Sequence, residues 1–66
     1  MEKYFIVFTI NRHTTAGEEL AKRMDVDILN YRHQYLKGFF TKRAMLDWIK
    51  ENEEALGPFQ MLKPID

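Results

Sequence analysis

The stretch Lys3-Tyr4-Phe5-Ile6-Val7-Phe8-Thr9-Ile10 is aromatic and β-branched with almost no polar break. Such a run reads as a β-strand buried on both faces or placed in the middle of a sheet, and it is too short for an isolated buried helix. The chain around it has 66 residues, so a single domain spanning 1–66 is expected. A domain of that size buries only about 60% of the surface its unfolded form exposes, which leaves a thin core. There is no Cys to reinforce that core by disulfides or a thiolate metal cluster. At 45% hydrophobic residues the chain is too apolar for a disordered segment. No apolar run approaches the roughly 20 residues that span a bilayer.

The remaining elements follow from local signals. Thr15-Ala16-Gly17-Glu18 has the form of a capping box opening a short helix to about residue 24, with Leu20, Ala21 and Met24 on one side. Gly17 weakens that helix. Residues 26–40 are rich in Tyr, Ile, Val and Phe, and predict a hairpin with strands near 26–30 and 34–40. Thr41 is a candidate N-cap for a second helix over 42–56, whose stripe is Met45, Trp48, Ile49, Asn52 and Leu56. Gly57 and Pro58 then suit a left-handed cap and a stop. Residues 59–63 are a candidate closing strand.

The resulting order is β-α-β-β-α-β. It folds most simply as a ferredoxin-like α+β domain, a four-stranded antiparallel sheet with both helices on one face. A three-stranded α+β variant is the alternative. Two helices cover only one sheet face, so the residues of the other face are candidates for function. Alternation assigns Tyr4, Ile6, Phe8 and Ile10 to the core and turns Phe5 and Val7 outward. Lys37 is expected to avoid the core, which places Tyr35, Lys37 and Phe39 on the open face, joined by Tyr31. An apolar patch of Phe5, Val7, Tyr31, Tyr35 and Phe39 around Lys37 marks an interaction surface for a protein partner or a second copy.

Lys37-Gly38-Phe39-Phe40 is similar to the start of the aromatic motif on the third strand of RNA-recognition motifs, which share this fold plan. In that family aromatic residues at alternate positions stack on bases. The match covers four residues, and Thr41-Lys42-Arg43 enters a helix where that family continues its strand. Peptidoglycan-binding sporulation-related domains also resemble this fragment, placing a glycine and a Phe before a second helix. Neither likeness transfers a site.

A second candidate surface lies at one end of the sheet. Arg12 and His13 follow the first strand, and Arg32 and His33 fall in the predicted hairpin. With the start of the first helix they form a candidate anion site, damped by Glu51, Glu53 and Glu54 at the same end.

Catalytic equipment is sparse. There is no Ser or Cys nucleophile, and two His residues without helical ligand spacing predict no metal site. The three glycines are isolated, so no phosphate loop and no cofactor are expected. Ten basic against ten acidic residues give zero formal charge, unlike a dedicated nucleic-acid binder. The residues at the start carry no secretory signal pattern, so a cytoplasmic location is expected. The sequence therefore reads as a non-enzymatic interaction domain, such as a small regulator, adaptor or inhibitor of the kind that phages and other mobile elements encode. Single-stranded nucleic-acid binding by stacking on Tyr35 and Phe39 is the alternative.

Overall fold

The computed structural model describes residues 1–26 and 33–64. It is an α+β fold with the element order β1 (Tyr4–Ile10), α1 (Thr15–Met24), β2 (Tyr35–Phe39), α2 (Lys42–Glu51) and β3 (Leu56–Met61). Among the described residues the sheet has three strands in the order β2-β1-β3. This is the three-stranded variant of the ferredoxin-like plan. The expected strand at 26–30 lies almost wholly outside the described residues, and Val26 itself is not in a strand.

Placing the most apolar strand in the centre is what its composition demands. β1 is antiparallel to both neighbours, with Tyr4 opposite Phe39 and Phe8 opposite Tyr35 on one side. On the other side Ile6 pairs with Met61 and Phe8 with Phe59. The pairing with β3 shifts register between Phe8 and Ile10. Gly57 sits in this region because a Cβ there would run into the Thr9 hydroxyl.

Alternation along β1 is as expected: Ile6, Phe8 and Ile10 are buried. They meet Leu20 and Ala21 of α1 and Met45 of α2 in one cluster, which Phe39, Ala55 and Leu56 complete. Helix α1 packs on β1, and α2 packs on β1 and β2. Phe8 is the hub of the ring contacts, with centroids 5.7 Å from Tyr35 and 5.3 Å from Trp48. Edge-offset aromatic pairs of this kind add to simple area burial.

Two helix boundaries differ from expectation. The N-cap of α1 is Thr14, not Thr15: its Oγ1 accepts the Gly17 amide at 2.9 Å. The same hydroxyl lies 3.1 Å from the carbonyls of Asn11 and Glu54, so its single proton ties the cap to the neighbouring chain as well. Helix α2 starts as expected, with Thr41 accepting the Ala44 amide, but it ends at Glu51 rather than near Leu56. The amides of Ala55 and Leu56 both return to the Asn52 carbonyl, and Asn11 donates to the Ala55 carbonyl at 2.8 Å. That turn frees Ala55 and Leu56 to be buried against β1, a stronger use of two apolar residues than another helical turn. Gly57 accordingly has no positive φ, and among the described residues the left-handed one is Asp25, the C-cap of α1.

Candidate functional site

The sheet face away from the helices carries Phe5 and Val7, as their alternation with buried Ile6 and Phe8 requires. Their register partners on β2 are Gly38 and Leu36. Phe5 packs closely on Gly38: a Cβ there would come within 2.7 Å of the Phe5 ring. Leu36 is 64% exposed beside Val7. On β3, Gln60 opposes Val7 on this same face. The open face is therefore Phe5, Val7 and Leu36 with a polar margin of Gln60 and Thr9.

The assignment of Tyr35, Lys37 and Phe39 to that face is corrected by the strand register. Their partners are Phe8, Ile6 and Tyr4, so all three point towards the helices. Phe39 is only 8% exposed, and its ring sits 5.8 Å from that of Trp48. Lys37 is accommodated because its stem crosses the core edge while its Nζ lies 5.4 Å from the Phe39 ring centre and 5.5 Å from that of Trp48. A lysine can cover apolar surface with its methylenes and keep its ammonium over ring faces at the rim. The premise that a lysine marks the outer face is what failed, and with it went the position of Leu36. Tyr31 lies outside the described residues.

At the sheet end, the antiparallel pairing puts the close of β1 and the opening of β2 together. Arg12 and His13 thus share an end of the sheet with His33, while Arg32 falls outside the described residues. His13 is exposed, and its backbone amide donates to the Asn11 side chain at 3.1 Å. His33 is also exposed, but its ring leans on Tyr35, with centroids 4.8 Å apart and planes inclined at 49°. A shallow groove of about 290 Å³ runs from Arg12 and His13 to Gly57 and Pro58. The bond from Thr14 to the Glu54 carbonyl confirms that the acidic end of α2 sits close by.

Two further features escaped the sequence reading. Asn52, expected as one member of an apolar stripe, is 9% exposed and joins the helices. It accepts from Arg23 Nη2 at 2.8 Å and donates to the Trp48 carbonyl at 2.8 Å. Between the helix ends lies a charged cleft of about 280 Å³ lined by Glu19, Arg23, Lys50 and Glu53 among others. The second feature is the exposure of β3: the closing strand expected at 59–63 forms over Leu56–Met61 and is buried at Leu56 but bare from Pro58 onward. Phe59 and Met61 are 44% and 51% exposed. The Phe-Gln-Met alternation is the signal that marks them as one side of a strand.

Among the described residues no group of three or more His, Asp or Glu side chains is placed to hold a metal ion. No described helix is long and apolar enough to cross a membrane. No protein-family model, curated protein or solved structure matches the chain.

Proposed function

We propose that this chain is a non-enzymatic interaction domain, a small regulator or inhibitor that docks on a protein partner through the open face of its sheet. The observation that carries this reading is Leu36, 64% exposed beside Val7 and Phe5 on a face neither helix covers. A leucine held on a strand beside Val7 and Phe5 extends a contiguous apolar patch, the kind of surface that marks an interaction site. Backbone pairing fixes all three residues, so a partner meets a preformed surface with little ordering cost.

Base stacking receives less support from the geometry. Tyr35 and Phe39, its platform, pack against Phe8 and Trp48 instead.

The test is affinity capture of partners from the source cells by the tagged chain and by its Leu36→Glu variant. Wild type should retain a partner from about 50 mM to about 500 mM salt, because an apolar face is nearly indifferent to screening. Leu36→Glu should lose that partner at least about tenfold, equivalent to about 1.4 kcal/mol of binding. Equal capture by both chains, or capture of nucleic acid that disappears with salt, overturns the reading.

A further inference from the structure

At the end of the sheet where β1 begins, a cleft of about 360 Å³ opens between Tyr4, Lys42, Met45, Met61, Leu62 and Pro64. Strand register and helical spacing bring these residues together. Met61 pairs with buried Ile6, so its side chain stands on the helix side of β3. Tyr4, two residues before Ile6, stands on the same side of β1. Lys42 and Met45 are three apart, on one face at the start of α2. Met45 is buried beneath the cleft, whereas Met61 and Leu62 remain 51% and 38% exposed along it.

Among the described residues of this lining the charged one is Lys42. Two more lysines flank the cleft: Lys3, whose Nζ lies 5.9 Å from the Tyr4 ring centre, and Lys63, between Leu62 and Pro64 in the chain. The carboxylates nearest in sequence are engaged elsewhere. Asp47 Oδ2 lies 3.9 Å from Arg43 Nε, on the exposed side of α2. The Glu2 carboxylate lies over Gly38, on the open face of the sheet. In a chain of zero formal charge, positive charge is thus concentrated beside an apolar hollow.

We propose that this cleft binds a small amphipathic carboxylate, its hydrocarbon chain lying along Met45 and Met61 and its head group at the Lys42 ammonium. Charge selects an anion over a neutral or cationic amphiphile, because a carboxylate supplies the ion-pair partner that Lys42 lacks among the described residues. Volume selects a short chain. A space of about 360 Å³ holds about twelve groups the size of a water molecule or a methylene, the heavy-atom count of decanoate. The two methionines are unbranched and adaptable, and follow a flexible chain readily. The cleft lies on the helix side of the sheet, so it and the open face around Leu36 are separate surfaces.

The probe is sodium decanoate below its micellar range, titrated into protein isotope-labelled at the methionine methyl groups and followed by NMR. The Met45 and Met61 methyls should shift together and saturate at one ligand per chain. A Kd of about 1 mM is expected, the strength of about twelve heavy atoms on a half-open site. Met24, outside the cleft, is the internal control. Decyltrimethylammonium, with the same chain and the opposite charge, should bind at least about tenfold more weakly. Lys42→Glu should weaken decanoate binding at least about fivefold at about 20 mM salt, and less at about 500 mM. An acidic residue at the start of a helix suits its dipole, so this variant keeps the fold. Met61→Gln is the second variant, and should weaken decanoate at least about threefold by removing one apolar wall. Leu36→Glu should leave the titration unchanged, which tells a failure of this site from a failure of the open face. Equal Kd for the two probes, or an unchanged Kd in Lys42→Glu, overturns the proposal. So does a Met24 shift as large as those of Met45 and Met61, or a response that begins only when decanoate forms micelles.

Discussion

Arg23, in the last turn of α1, donates from Nη2 to Oδ1 of Asn52, the C-cap of α2, at 2.8 Å. One amide side chain thus joins the two helices and, through Nδ2, closes on the Trp48 carbonyl of its own helix. Replacing Asn52 by Leu removes both side-chain bonds from a buried position, while the exposed Arg23 turns to water and the Trp48 carbonyl keeps the backbone amide of residue 52. We expect a loss of about 1–3 kcal/mol in urea unfolding. A double-mutant cycle of Arg23→Ala with Asn52→Ala should return a coupling of at least about 0.5 kcal/mol. Strict additivity would show that the bond does not couple the helices.

Gly17 reverses an expectation from helix propensity. In an unconstrained helix Gly→Ala gains about 1 kcal/mol. Here a Cβ at position 17 would collide with the Asn11 carbonyl, which is backbone and cannot swing aside. Gly17→Ala should therefore destabilise the fold by at least about 1 kcal/mol despite its better propensity. Chemical denaturation of wild type and variant side by side decides the sign.

Thr14 makes the first turn of α1 and its anchorage a single event. Thr14→Ala removes the cap on Gly17 and the tie to the Asn11 or Glu54 carbonyl together. The expected cost is about 1–2 kcal/mol, with most of it restored in Thr14→Ser. Equal loss in both variants would transfer the role from the hydroxyl to the methyl group.

Lys37 should tolerate an apolar replacement better than an acidic one. Lys37→Met keeps the stem against Trp48 and gives up the ammonium over two rings, for a cost under about 1 kcal/mol. Lys37→Glu brings a carboxylate to the negative faces of the same rings and should cost more. Thermal unfolding followed by Trp48 fluorescence ranks the two.

Much of this fold is legible in the chain because its strongest elements are locally consistent. The run from Tyr4 to Ile10 announces a central strand, and Thr41 opens α2 where expected. The stripes Leu20, Ala21 and Met45 all reach the core. What sequence could not give is the face of β2. Tyr35-Leu36-Lys37-Gly38-Phe39 has large apolar groups at both parities, so one lysine carried the decision, and a snorkelling lysine satisfies either face. The end of α2 was misread for a related reason. Helical periodicity continues to Leu56, and only the pairing of Asn11 with Ala55, forty-four residues apart, tells the chain to turn early.

The central position of β1 has a consequence for synthesis. Among the described residues β1 is made before both strands that flank it, and its second neighbour, β3, comes last in the order. Until residues 56–61 emerge, the most aggregation-prone segment of the chain waits with an open side. Closure therefore joins the first and last strands of the described order in one step, and a chain that lacks β3 has both helices but no finished sheet.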